Sequence, residues 1–500
     1  GGQLTRQQEW YGPLYANGYS PNSFDGMWST AYSSIIKNTD ALIPLAQKQK
    51  KYIQSGIART LKAYVLGTLV DDFGDVPFTE ADLGPANTNP KVDGGAAVYT
   101  AVHGLLDSAI ADFNKTGAGS KPTNDLFYSG SAANWIKLAK TLHLKFYMQA
   151  RLVDNSVGAK IQTLLTENNL INTDPQDFVF KYATNISSPD SRHPHYASNY
   201  TSGGQAGDFI SNFFMWEVVA EKSGGSVTSL DPRRRYYFYR QRTNYADVNA
   251  QTASCSVQSY PAHYPAGTPF CLVGGQGYWG RDHGDNSGTP PDGNLRTTWG
   301  IYPAGGEFDA NQGTSVSLNR GANGAGIDPI WLSSFTSFLE AEAAIKLGIT
   351  TQGSARDLLE KGIRASMAKV LGFPATVNVT VPTAFIPPTS GTGSVDNYVN
   401  TVLTSYDNAT TDDQRLNIIM KEYHIAAWGN GIEPFNNYRR TGKPDNMQPA
   451  VTTPNPGLFM RSFFYPAVFV NRNLNAPTQK TPGVAANKVF WDNNPDNFIK

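Results

Sequence analysis

His283 stands between Asp282 and Asp285 in the run Arg281-Asp-His-Gly-Asp285, where a carboxylate could orient the imidazole as a general base. No nucleophile motif accompanies it. The nearest serine, Ser287, lacks the strand–turn–helix elbow that exposes a reactive hydroxyl. The residues therefore favour a hydrogen-bonding role for His283 over a hydrolase site. Asp285-Asn-Ser-Gly288 and Asp292-Gly-Asn294 look superficially like calcium loops but lack the EF-hand spacing and its terminal glutamate. They read first as Asx turns, with a structural calcium as the minor alternative. His193-Pro-His195 is a weak chelating pair, and no other metal or cofactor is expected. Gly275-Gln-Gly277-Tyr-Trp-Gly280 matches a dinucleotide fingerprint, yet the Pro- and Gly-rich run that follows cannot open the helix a pyrophosphate needs.

Rings carry the positive signal. Trp216, Tyr278, Trp279 and Trp299 lie in a stretch rich in Gly, Pro, Asn and Ser. Rings displayed on such loops offer apolar faces to sugar C–H groups, and Arg281 and Asp282 would bond the hydroxyls. The competing reading is that the rings plug the loops onto a helical scaffold. On the first reading, Trp279 and Trp299 lead as ligand contacts, with Tyr278 and Trp216 behind them. Arg233 to Arg242 interleaves arginine with tyrosine and phenylalanine, as single-strand nucleic-acid binders do. It is one local patch in a chain with 41 basic and 41 acidic residues, so no nucleic-acid partner is expected.

Charged residues make up only 16% of the chain, so its surface must be built largely from neutral polar groups, which suit sugar or peptide recognition. Cys255 and Cys271, sixteen residues apart without a metal-binding pattern, read best as a local disulfide formed in an oxidising compartment. No apolar run reaches the roughly 18 residues that span a bilayer. The sequence opens on Gly1 rather than methionine, and a targeting segment is expected upstream.

The elements that must hold these residues are mostly helical. The central one runs from Ile57 to a stop at Gly74-Asp-Val-Pro77, with Ile57, Leu61, Tyr64, Val65 and Leu69 at helical spacing and Leu61 taken as its buried centre. Asp71, Asp72 and Asp75 oppose the helix dipole there and need partners, such as backbone N–H groups in the turn. Residues 25–48 supply the companion helix. A second pair is marked by Val98 to Phe113 and by Trp135 to Ala150, with Ser131 as N-cap. Asp328-Pro329 reads as the start of a third pair, which ends near Met367. The fourth covers Tyr398 to Trp428, where Thr411-Asp-Asp-Gln414 is a capping box. Four pairs of irregular period suggest a mainly α, tetratricopeptide-like scaffold over 25–171 and 328–440. Residues 175–327 form a loop-rich lobe, with one helix near Asp208 to Ala220. An irregular segment spans Phe373 to Val395 and another runs over 441–500. No clean boundary divides residues 1–500, which read as a single domain.

A buried helix closing on Asp72-Phe-Gly-Asp-Val-Pro-Phe78 resembles the SusD/RagB family of surface nutrient-binding lipoproteins. A kinase reading of Asp72-Phe73-Gly74 fails for want of the companion motifs. Further stretches carry the same resemblance: Asp231-Pro-Arg233, Arg281-Asp-His-Gly-Asp285 with Arg296 to Tyr302, Phe338-Leu-Glu-Ala-Glu-Ala-Ala344, Asn430 to Gly442, and Tyr465-Pro466. The acid usual after that last motif is replaced by apolar Ala467 to Val470. The resemblance implies four tetratricopeptide-like pairs, no catalysis, and an outward-facing lipoprotein held to the outer membrane by an N-terminal lipid. It implies a lid on a SusC-like TonB-dependent transporter that passes in oligosaccharide or, in some members, peptide. The motifs are scaffold residues and carry no binding residue with them. A plain tetratricopeptide adaptor for protein partners is the remaining alternative.

Overall fold

The computed structural model describes residues 1–10, 12, 15–115, 117, 119, 121–204, 207–225, 230–243, 258–271, 273, 276–285, 296–451, 459–481, 487–496 and 498–499. The chain is mainly α, with three two-stranded sheets among the described residues. Its contacts divide it into two compact units. One comprises 19–171, 347–352 and 457–500; the other comprises 1–18, 172–346 and 353–456.

The first unit holds two helix pairs. Short helical turns over 25–36 lead into the helix Lys37–Lys48, which packs on the central helix Tyr52–Phe73. Gly95–Phe113 and Ala132–Ala150 form the second pair, followed by Val157–Glu167. Ser131 caps its helix, with its hydroxyl accepting from the Asn134 N–H at 3.4 Å. Gly74 ends the central helix at φ +78°, a backbone geometry that strains any side chain. Of the residues at the expected stripe, only Leu69 is fully buried. Ile57, Leu61, Tyr64 and Val65 are half-buried, whereas Gly56, Ala63, Leu66, Gly67 and Val70 are fully buried. Small residues let neighbouring rings approach: a Cβ on Gly67 would meet Phe146 at 2.2 Å, and one on Gly56 would meet Phe113 at 2.6 Å. The three carboxylates have partners. Asp71 accepts from Tyr99 Oη and from Trp491 Nε1, the latter at 3.0 Å. Asp75 accepts from the Gly95 N–H at 2.8 Å, and the buried Asp72 is also partnered.

The second unit holds the other two pairs and the loop-rich lobe. Its pairs are Ser333–Leu347 with Ala355–Thr376, and Val395–Asn408 with Asp412–Ala426, the last carrying the Thr411 capping box. Asp328-Pro329 does not start a helix. Ile327–Trp331 is a strand, antiparallel to Phe178–Lys181 with Phe180 opposite Asp328, and the helix begins at Ser333. In a two-stranded sheet the proline costs no interior hydrogen bond. Asp177 takes over the capping role, accepting from the Ser333 N–H at 2.7 Å. Within the lobe, Asn212–Val219 is the expected helix, and Phe238–Tyr239 pairs with Thr298–Trp299. Tyr236, Tyr237, Phe238, Tyr278, Trp299 and Tyr302 share one core with Val370, Phe373, Ile425 and Trp428 of the helix pairs. The described part of the lobe is anchored by rings driven into the helices.

Candidate functional site

The rings expected on the surface are inside. Trp279 is 1% exposed, and Trp299 and Tyr278 are 0%. Trp299 lies between His195 and Trp428, each ring 4.0 Å away and nearly parallel, and Phe214 stacks on Trp428 at 4.9 Å. Tyr278 Oη accepts from Arg234 at 3.1 Å, and the Arg240 guanidinium lies 4.9 Å from the ring. Arg281 and Asp282 are buried too. The Arg281 and Arg296 guanidiniums each sit 4.1 Å from the Phe209 ring. Asp282 accepts from the Cys271 N–H at 2.8 Å and from Gln448 at 2.7 Å, and burial pushes its carboxyl up to about 6. None of these five can meet a ligand as expected. A loop flanked by glycine and proline displays a ring only when no apolar surface backs it, and here the helices do. Trp216 alone keeps exposed surface, half-buried beside Phe213 at 5.9 Å.

His283 is sealed. Its Nδ1 meets Glu9 Oε2 at 3.0 Å, the Trp10 ring packs edge-on at 4.9 Å, and burial lowers its basicity. Such a ring cannot reach a substrate. Most of the arginine run is likewise internal, Arg233 pairing with Asp231 and Arg240 with Asp309, while Arg235 and Arg242 are half-buried. Cys271 is disulfide-bonded, and Cys255 lies outside the described residues. So do residues 286–295, which hold most of the calcium-like loops. His195 is engaged by Asp208, and no cluster of three metal-ligating side chains occurs among the described residues.

The second unit holds a cavity of about 430 Å3, lined by Lys181, Tyr182, Thr184, Asn323, Thr376 and Asn378 together with glycines and apolar residues such as Ile327 and Phe373. Tyr182 follows the Phe178–Lys181 strand and is tied down by its N–H to Gly326 O at 2.9 Å. Its half-buried ring is braced edge-on by Phe180 at 5.0 Å and His193 at 4.9 Å. Asn323 Oδ1 is buried with no hydrogen-bond partner among the described residues. A braced ring edged by amides and hydroxyls suits a neutral polyhydroxylated ligand. Val379 also lines an adjoining apolar groove of about 520 Å3 with Leu371, Pro374, Val381, Ile386 and Pro387. Elsewhere in this unit Tyr260 is 47% exposed, its hydroxyl 3.0 Å from both Pro265 O and Thr268 O. Sequence reasoning passed over both tyrosines, although Tyr182 extends an alternating strand pattern.

Residues 4–260 match a family described as starch-binding and associating with the outer membrane, and residues 311–476 match the SusD and RagB outer-membrane lipoproteins. The chain belongs to the SusD/RagB family. This SusD-like chain shares its fold with a chitin-binding SusD homolog from Flavobacterium johnsoniae, at 19% identity and TM-score 0.62, over 99% of this chain and 93% of that one. A SusD homolog from Bacteroides fragilis superposes at TM-score 0.66 and 17% identity, over 98% and 95% of the two chains. No curated protein matches it. Membership places it among outer-membrane lipoproteins that bind glycans. Among the described residues no helix is long and apolar enough to cross a membrane.

The SusD-like motifs now have physical meanings. Arg233 of the Asp-Pro-Arg motif bonds Asp231, Ser366, Tyr398 and Glu422, joining the lobe to three helices. Arg440 forms a two-pronged pair with Glu342, at 2.8 and 2.6 Å, linking the Arg-Arg-Thr-Gly and Ala-Glu-Ala motifs. Where the acid after Tyr465-Pro466 is missing, Gln479 bonds both the N–H and the carbonyl of Tyr465, and Asp25 accepts from the Val468 N–H.

Proposed function

We propose that this chain captures a neutral oligosaccharide on the outward face of the outer membrane and hands it to a SusC-like TonB-dependent transporter. The observation that carries the ligand class is the Tyr182 cavity, where a braced ring shares the lining with Thr184, Asn323 and Asn378, with apolar Ile327 and Phe373, and with Lys181 but no acid. Family membership and the chitin-binding relative support a glycan. The transporter rests on what the family resemblance implies. A lid must release as well as capture, so a single cavity should bind at about micromolar to millimolar Kd.

The proline-lined groove beside the cavity favours a second reading, a peptide laid over Val379, Val381 and Ile386. Calorimetry with malto-oligosaccharides, chito-oligosaccharides and a mixed peptide set separates the two. On the glycan reading, Tyr182→Ala weakens oligosaccharide binding by about 1–3 kcal/mol, as loss of a stacking ring does, with little change in Tm. Heat with peptides alone, or unaltered sugar affinity in Tyr182→Ala, overturns it.

A further inference from the structure

The helical unit carries a cavity of its own, about 560 Å3, lined by Tyr99, Thr100, His103, Tyr147, Asp154, Lys160 and Phe490 among others. It is built around a relay of three side chains. His103 Nδ1 and His143 Nδ1 are 2.7 Å apart, with ring centroids at 4.9 Å and planes within 14°. Those values put the two imidazoles edge to edge and nearly coplanar, the arrangement of an N–H···N hydrogen bond. Behind them the buried His143 Nε2 lies 3.3 Å from Oδ1 of the exposed Asp107, an ion-pair contact without hydrogen-bond geometry.

The nearby carboxylate biases the tautomers in turn. The Asp107 carboxylate, an acceptor only, favours for neutral His143 the tautomer with its proton at Nε2 and a lone pair at Nδ1. His103 must then donate through Nδ1, which leaves a lone pair on Nε2. That atom has no hydrogen bond or ion pair among the described residues. Burial, His143 and Lys160 together lower His103 to about 3, against the opposing pull of Asp107 and Asp154, so the ring stays neutral near pH 7. Tyr147 stacks on His103 at 4.0 Å, and Phe490 packs edge-on against Tyr99 at 4.8 Å. Lys160 lies 3.9 Å from Asp154, so the charges at the rim balance.

We propose that this cavity is a second sugar site, in which His103 Nε2 accepts a hydrogen bond from a pyranose hydroxyl while Tyr147 and Phe490 border the C–H faces of the ring. The balanced rim suits a neutral ligand, and the unengaged acceptor calls for a hydroxyl donor. The proposal rests on the glycan reading above but uses different residues.

The test is a long-range 1H–15N spectrum of histidine-labelled protein, titrated with maltohexaose and with chitohexaose, beside calorimetry on the same samples. His103 should show the Nδ1–H tautomer, and its Nε2 resonance should move saturably with at least one sugar, in wild type and in Tyr182→Ala alike. Tyr147→Ala should raise the half-saturation point roughly tenfold or more. Binding heat without movement of His103 overturns this site and leaves the Tyr182 reading standing. Neither heat nor movement overturns both. A His103 shift abolished by Tyr182→Ala makes the effect indirect and also overturns the site.

Discussion

Trp299 reads as a ligand contact in the sequence and as a structural keystone in the fold, and one substitution separates the roles. Its ring is clamped between His195 and Trp428, wholly buried. Trp299→Ala should therefore lower stability by about 3–5 kcal/mol, the cost of deleting a core aromatic. Chemical denaturation measures it; an unchanged midpoint with lost sugar binding would restore the original reading. The sequence could not decide this because burial of a loop ring depends on what lies behind it, and the partner here, Trp428, is far along the chain. For the same reason Tyr182 and Tyr260 gave no sign that they keep accessible faces while three of the expected rings, Trp279, Trp299 and Tyr278, lose theirs.

Helices were legible because their apolar period and caps are local. Ser131 and the Thr411 box cap as their side-chain chemistry dictates. Two features were not. Asp-Pro marks helix starts, but at Asp328 it lies in a strand whose partner, Phe178–Lys181, is remote in sequence. The closest face of the central helix is made of glycine and alanine, which hydropathy ranks below Leu61. Gly67 shows what that face does. Alanine in a helix interior is favoured over glycine by about 0.5–1 kcal/mol, so propensity alone predicts that Gly67→Ala stabilises. A methyl there would stand 2.2 Å from Phe146. Overpacking of this kind costs about 1–3 kcal/mol, so the variant should melt lower. A Tm at or above wild type would show that the ring moves aside freely.

Across the whole chain, 41 basic residues balance 41 acidic ones, and the Tyr182 cavity has a single charged residue, Lys181, in its lining. Capture of a neutral sugar should then owe little to long-range attraction. Raising salt from 50 to 500 mM shrinks the Debye length severalfold, to about 4 Å, and should change the measured Kd less than about twofold. A steep salt dependence would point to an anionic cargo. The family was legible throughout while the ligand was not, because the recognisable motifs are buried ion pairs such as Arg233–Asp231 and Arg440–Glu342.

That division of labour makes the chain a chassis for redesign. Lys181, Thr184, Thr376 and Asn378 line the Tyr182 cavity at exposed positions, outside the paired motifs that knit lobe to helices. A combinatorial library at Lys181, Thr184 and Thr376 can explore new cargo at little cost to folding, whereas Asn378 sits at φ +58°, which glycine and asparagine adopt most readily. Surface changes of that kind typically shift stability by no more than about 0.5 kcal/mol each.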